Sequence, residues 1–107
     1  MRVIVLAVMF GLGVAASAVA QDKAKGEQVF AVQKCSLCHS IAGKGNAKGP
    51  LDDVGSKLKA DDIRAWIVDA KGMAAKTHAT RLPAMKAYTL PKEDVDGLVA
   101  YLSSLKK

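Results

Sequence analysis

Two cysteines three residues apart, followed at once by a histidine, constrain this chain more than any other feature. The segment reads Cys35-Ser36-Leu37-Cys38-His39. Two cysteines in a secreted chain ordinarily suggest one disulfide, but this close spacing argues for a different use. The chain has 107 residues and contains no other cysteine, so it has room for one small domain and one site of this kind.

This spacing is typical of covalent haem attachment. Two thiols on one helical turn can add to the two vinyl groups at one edge of the macrocycle, and the next residue then points an imidazole at the iron. Two other uses stay open. A redox-active Cys-x-x-Cys needs a surrounding βαβ pattern, which the sequence lacks. A zinc site from Cys35, Cys38, His39 and His78 would force an adjacent Cys–His pair onto one tetrahedral centre. We therefore expect one haem c.

Residues 1–20 have the pattern of a cleaved secretory signal peptide. Arg2 precedes an apolar run from Val3 to Val14, and small residues ending in Ala18-Val19-Ala20 follow. The alternative is a transmembrane helix, but the last third of the segment is nearly all Ala and Ser, which are weakly apolar. Cleavage after Ala20 leaves one domain over residues 21–107 and lowers the formal net charge from +6 to +5. This pattern predicts export to the periplasm.

The apolar periodicity predicts an all-α domain with three main helices and two long loops. We expect a first helix from Asp22, as its N-cap, to about Gln33, and a second from Asp61 to Ala70 that stops at Gly72. The last helix follows Pro91 and carries an apolar stripe formed by Val95, Leu98, Val99, Leu102 and Leu105. No stretch alternates with period two for long enough to predict a strand.

The two loops, residues 41–57 and 71–90, are long for so small a domain unless they enclose something. The aromatic residues of the mature chain are few: Phe30, Trp66, Tyr88 and Tyr101. Domains of this size are often marginally stable without a staple or a cofactor. We therefore expect the haem to fill part of the core.

From the pentapeptide outward, the chain resembles the small soluble class I cytochromes c over nearly all of residues 22–107. Gly26 and Phe30 match a Gly and an aromatic residue in that family's first helix. The segment Leu98-Val99-Ala100-Tyr101-Leu102 resembles the Leu-x-x-Tyr-Leu of its C-terminal helix. Phe30 lies five residues before Cys35, where many members have four. The resemblance implies the cytochrome c fold, and haem attachment outside the cytoplasm, in agreement with the signal peptide.

Two further segments resemble those that hold the iron ligands in the family. Gly49-Pro50 is similar to the Gly-Pro whose carbonyl accepts from the proximal imidazole, so Pro50 is expected to orient His39. Met85-Lys86-Ala87-Tyr88 is similar to the segment that carries the distal methionine, although Lys86 replaces a common proline. The resemblance implies that His39 and Met85 ligate the iron.

Other side chains compete for these roles. His78 would give a bis-histidine haem, but it lies in a polar run and is expected to face solvent. Met73 is expected to fill a gap in the core. Trp66 either packs in the core or donates its indole N–H to a haem propionate, as a Trp often does in the family.

These residues predict a carrier of single electrons rather than an enzyme, with no small-molecule substrate. Thioether sulfur favours ferrous iron, and two strong ligands leave no position for oxygen or peroxide. The alternative is a peroxidase-like haem enzyme, or a gas or redox sensor, with a labile distal ligand, in which His78 would be the acid–base residue.

Positive charge predicts the kind of partner. Five lysines flank the attachment site and the Met85 loop in sequence: Lys34, Lys44, Lys48, Lys76 and Lys86. Cations around an exposed haem edge would steer a monomeric carrier to an acidic membrane or periplasmic redox protein, such as an oxidase, a reductase or a dehydrogenase. The export signal disfavours nucleic acid as a partner.

Overall fold

A computed structural model describes the backbone of residues 14–107 and the side chains from residue 22 onward. The predicted signal peptide therefore lies outside the described residues over positions 1–13. The described helices are α1 (Val14–Val32), α2 (Val54–Lys57), α3 (Ala60–Val68), α4 (Ala70–Thr77) and α5 (Lys92–Ser103). A 3-10 turn covers Cys35–Leu37, and a small hairpin pairs β1 (Ser40–Ile41) with β2 (Lys44–Gly45). The described part of the chain is thus mainly helical, as predicted, although α2 and most of the hairpin lie where the sequence predicted a loop.

In the uncleaved chain, helix α1 begins before Asp22, so Asp22 is not its N-cap there. The helix is continuous from Val14 to Val32, so Asp22 lies in its interior. An N-cap preference is local, and the residues before Asp22 are rich in alanine, the strongest helix former. These alanines therefore extend the helix to the N-terminal side of Asp22.

The second predicted helix is two helices, and Gly72 does not end it. Helix α3 stops at Val68, and Asp69 then accepts a hydrogen bond from the Gly72 N–H through Oδ1 at 3.3 Å. Asp69 thereby caps α4, which occupies residues that we had predicted to be the start of a loop. The polar sequence of α4 carries a weak helical pattern, and only Ala70 and Met73 are buried in it. The formation of α4 therefore depends on the Asp69 cap and on packing rather than on an apolar periodicity in its sequence.

Helices α1 and α5 cross at two glycines. A Cβ on Gly26 would collide with the Gly97 carbonyl oxygen, so the two backbones are in direct contact. Beside the crossing, the rings of Phe30 and Tyr101 meet edge to face, with their centroids 6.1 Å apart. Such aromatic pairs contribute about 0.5–1.5 kcal/mol beyond their buried area. This crossing fixes the direction in which α1 delivers the chain to the cysteine pentapeptide.

The core lies where α3 packs against the α1–α5 pair. Its members are apolar side chains that share one buried cluster: Val29, Ile63, Ile67, Val95, Leu98, Val99 and Leu102. Met73 is buried next to α3, as predicted, with 8% of its surface exposed. Within the described residues, no helix is both long and apolar enough to cross a membrane.

Candidate functional site

The cysteine pentapeptide forms a tight turn directly after α1. Lys34 adopts a left-handed conformation, with φ of 57°, and this reverses the chain at the end of the helix. The backbone N–H groups of Cys38 and His39 then both donate to the Cys35 carbonyl oxygen, at 3.1 and 3.0 Å. This turn carries two free thiols, from Cys35 and Cys38, and the imidazole of His39 within five residues. All three side chains are half-buried.

The His39 imidazole is oriented by the carbonyl group of Gly49. Its Nδ1 lies 3.1 Å from the Gly49 oxygen, which also accepts from the Ser40 N–H at 3.0 Å. The Leu51 N–H returns a bond of 2.8 Å to the Ser40 carbonyl, so the two strands of chain bridge across Pro50. Gly49 therefore performs the role that we had assigned to Pro50. Pro50 has no N–H to donate, is exposed, and acts only by fixing the backbone beside this carbonyl.

Two loop residues that the sequence analysis did not single out hold the pentapeptide from the other side. The Asn46 backbone N–H donates to the Ser36 and His39 carbonyls, and its side-chain amide donates to the Leu37 carbonyl at 3.1 Å. Gly45 has a φ of 107°, and a Cβ there would collide with the His39 carbonyl. The Gly45-Asn46 pair is a recognisable turn signal, but only the fold shows which segment the turn supports.

The pentapeptide opens onto an apolar cavity of about 280 Å³. One wall comes from the core, through Ile63, Ile67, Leu98 and Leu102. Another comes from α2 and the residues beside it, through Leu51, Val54 and Leu58. Cys35, Cys38 and His39 lie along its edge. A cavity lined mostly by hydrophobic side chains with a few convergent polar groups is the usual form of a cofactor site.

Met85 lines the same cavity, while its two competitors do not. Met85 is half-buried in the segment that follows α4. Met73 is buried in the core and does not reach the cavity lining, and His78 is exposed at the C-terminal end of α4. His39 and Met85 are thus the imidazole and the thioether that the fold brings to one cavity.

Trp66 and Tyr88 also line the cavity. Trp66 is half-buried, on the side of α3 that faces the cavity, so it is a wall residue rather than a fully buried core residue. Tyr88 donates its backbone N–H to the Ile67 carbonyl at 2.9 Å, and the Lys86 ammonium lies 4.9 Å from the centre of its ring. The bond to Ile67 attaches the C-terminal end of the Met85 segment to α3.

Burial sets the protonation of the two most enclosed site groups. It lowers the pKa of His39 below its usual 6.5, although the bond to the Gly49 carbonyl acts in the opposite direction. Burial raises the pKa of the Cys35 thiol above 9.0. At neutral pH the imidazole is therefore neutral, which is the form that binds a metal.

The donor set fits a covalently held haem. Two free thiols, one neutral imidazole and one thioether border a single apolar cavity, and the described residues provide no cluster of three or more His, Cys, Asp or Glu side chains that would suit zinc. All five flanking lysines are exposed.

Comparisons with known proteins agree with this site. The family model described as Cytochrome c matches residues 23–106. The chain is also similar to cytochrome c oxidase subunit 2 of Alkalihalophilus pseudofirmus, with 32% identity over 91 residues that cover 77% of this chain and 25% of the relative. The chain thus spans about a quarter of that relative's length. No solved structure matches the chain.

Proposed function

Since the chain belongs to the cytochrome c family, whose members bind haem and carry electrons, we propose that it is an exported one-electron carrier with a single haem. In this proposal Cys35 and Cys38 hold the haem covalently, and His39 and Met85 ligate its iron. One observation carries the proposal: all four side chains border the same apolar cavity.

His39 is the proximal ligand in this arrangement. Its Nδ1–H donates to the Gly49 carbonyl, which leaves the Nε2 lone pair for the iron and holds the plane of the ring. The same carbonyl is fixed by the Ser40 N–H, so the imidazole is supported by a rigid bridge rather than by a mobile side chain. The bound haem supplies an iron that alternates between the ferric and ferrous states.

Met85 is the distal ligand. Its thioether favours ferrous iron, and the apolar walls disfavour the additional charge of the ferric state. Two strong protein ligands leave no open position for a substrate. A rigid ligand set also needs little rearrangement on electron transfer, and this suits a carrier better than a catalyst.

The competing proposal is a haem enzyme or sensor with a labile distal ligand. Such a protein needs a group that moves protons beside the open iron position, and His78 was the candidate. His78 is exposed and does not line the cavity. The position of His78 therefore supports the carrier over the enzyme or sensor.

A reduced absorption spectrum, recorded with and without carbon monoxide, distinguishes the two proposals. The purified protein should be red, and its ferrous spectrum should not change with carbon monoxide, because the Met85 thioether would already be bound to the iron. A rapid spectral change with carbon monoxide would reject the carrier in favour of the enzyme or sensor.

We further propose that the partner is an acidic redox protein. The five exposed lysines and a net charge of +5 after removal of Arg2 support this choice. An oxidase is one candidate, since the similar relative carries the name cytochrome c oxidase subunit 2. Electron transfer to an acidic partner should slow steeply as ionic strength rises from about 0.01 to 0.15 M, because the screening length falls from about 30 to 8 Å. A rate independent of salt would refute electrostatic steering.

Export to the periplasm and a monomeric state belong to the same proposal. The basic start and the small residues up to Ala20 support removal of residues 1–20. The mature protein should then begin at Gln21, which its intact mass reveals. Retention of residues 1–20 in the haem-loaded protein would contradict the cleaved form.

A further inference from the structure

Arg81 connects the distal segment to the proximal turn. It lies four residues before Met85, in a stretch that forms neither helix nor strand. Its guanidinium nevertheless reaches the Gly49 backbone, where a Cβ would collide with Nη1 and lie 3.0 Å from Cζ. The same position borders the Cys38 carbonyl oxygen. The absence of a side chain at Gly49 is what leaves room for this cation.

The Met85 segment has few other attachments. Its backbone is tied at one end by the Ala79 N–H, which donates to the Ala74 carbonyl at 2.9 Å, and at the other end by the bond from Tyr88 to Ile67. Between these two points, residues 80–87 form no backbone hydrogen bond with the described part of the chain. Side chains must therefore hold this stretch in place. Arg81 and Met85 are the two long side chains of the stretch that line the cavity.

The charge of Arg81 is not balanced by a neighbouring carboxylate. Among residues 22–107, the ion pairs involve Lys25, Arg64 and Lys92, and none involves Arg81. A guanidinium remains protonated at every working pH. Arg81 thus places a permanent positive charge beside the carbonyl that orients His39.

We propose that Arg81 is a positioning residue that fastens the Met85 segment to the proximal Gly49 turn. It thereby determines how firmly Met85 remains on the iron, and its charge raises the reduction potential. The inference rests on the proposed function, because it needs Met85 as the distal ligand. The potential follows from electrostatics: Arg81 is exposed, yet it lines the cavity, and a fixed cation there disfavours the more positive ferric state.

Competition with imidazole measures the hold of Met85 on the iron. Imidazole binds ferric haem only where Met85 has left, so its apparent affinity rises with the population of the open state. The test compares Arg81→Ala, Arg81→Lys and a matched control, Lys71→Ala, which removes one exposed cation on α4 away from the cavity lining. Each haem-loaded variant is titrated with imidazole, and its midpoint potential is measured by spectroelectrochemistry.

Arg81→Ala should bind imidazole about tenfold more tightly than the parent, which corresponds to about 1.4 kcal/mol, and should have a lower potential. Arg81→Lys should recover the potential, since the charge remains, but should recover the imidazole affinity only in part, since the planar fork is lost. Lys71→Ala should change the imidazole affinity by less than about twofold and should keep the potential of the parent.

Two results would overturn the inference. One is an imidazole affinity of Arg81→Ala within twofold of Lys71→Ala. The other is a lower potential with an unchanged imidazole affinity, which would leave Arg81 as a charge without a fastening role. The spectrum of the parent protein distinguishes failure of this inference from failure of the proposed function. The family membership implies a sulfur-to-iron charge-transfer band, and a parent that lacks this band would refute Met85 ligation itself.

Discussion

At the scale of single residues, Met73 and Met85 have the same side chain and differ only in what surrounds it. Met73 is a buried residue of α4, whereas Met85 borders the cavity together with His39. A thioether in a packed core contributes through contact and volume. A thioether at the cavity edge is available as an iron ligand.

Met85→Ala should therefore abolish the far-red charge-transfer band of the ferric protein, lower its potential and open the iron to carbon monoxide. The reason is the loss of the sulfur that favours ferrous iron. Absorption spectra and a potentiometric titration measure all three effects. Met73→Ala is the control: it should keep the band and the potential, and should lower the free energy of unfolding by about 2–5 kcal/mol.

Ligation of the iron by His78 instead of Met85 is the outcome that would contradict this prediction. If Met85→Ala kept the parent spectrum while His78→Ala opened the iron, the haem would be bis-histidine and the potential lower. The exposure of His78 argues against this, so His78→Ala should be silent in the parent.

At the scale of elements, the α1–α5 crossing depends on the absence of side chains at Gly26 and Gly97. Gly26→Ala places a methyl group against the Gly97 carbonyl, which is backbone and cannot rotate away. The helices must separate, so we expect a loss of about 1–3 kcal/mol in the free energy of unfolding. Urea denaturation measures the change. Lys23→Ala, an exposed site on the same helix, should stay within about 0.5 kcal/mol of the parent.

The contact between α3 and α5 has a charged part. Asp96 accepts hydrogen bonds from Lys92 Nζ and Arg64 Nη2, each at 2.8 Å, and these two bonds hold the pKa of Asp96 below 3.8. A carboxyl whose pKa is lower in the folded state stabilises the fold above its unfolded pKa. This contribution is lost as the pH falls through the folded pKa.

Asp96→Asn should therefore destabilise the protein modestly at pH 7, and its stability should approach that of the parent as the pH falls below 3.8. Urea denaturation at a series of pH values measures this convergence. Glu27→Gln, which removes an exposed carboxylate of α1 that forms no ion pair with the described residues, should keep a constant offset from the parent. A constant offset for Asp96→Asn as well would show that the charged contact adds no stability.

At the scale of the whole molecule, the buried core and the cavity share the same apolar side chains. Several side chains that form or border the buried cluster also line the cavity, among them Phe30, Ile63, Ile67, Leu98 and Leu102. An apolar group placed there would join the helical core to the two long connecting segments. Folding and haem attachment should accordingly be coupled.

The double variant Cys35→Ser with Cys38→Ser should leave a haem-free chain with little helix by circular dichroism. Ser36→Ala keeps both thiols and His39, and should load haem and melt cooperatively as the parent does. A cooperative, native-like melt of the haem-free double variant would contradict the coupling, because it would show that the side chains alone complete the core.

The sequence determined the parts of this protein that depend on short spacings. The Cys35–His39 pattern and the stripe of α5 rest on residues within one or two turns of each other. They led to the helical fold and to the family, which the match over residues 23–106 confirms. The free thiols, His39, Met85 and Trp66 could likewise be selected in advance, and the fold gathers them at one cavity.

Only the tertiary structure decided the contacts between distant segments. The acceptor for His39 is Gly49 rather than Pro50, since which carbonyl meets the ring depends on the path of the loop. Helix α4 begins at a cap that a weak helical pattern did not reveal. Arg81 was not singled out from the sequence, and although it is exposed its guanidinium lies against Gly49. A local sequence pattern reflects the preferences of a few neighbouring residues. These contacts instead depend on how the packed helices orient the loops around one cavity.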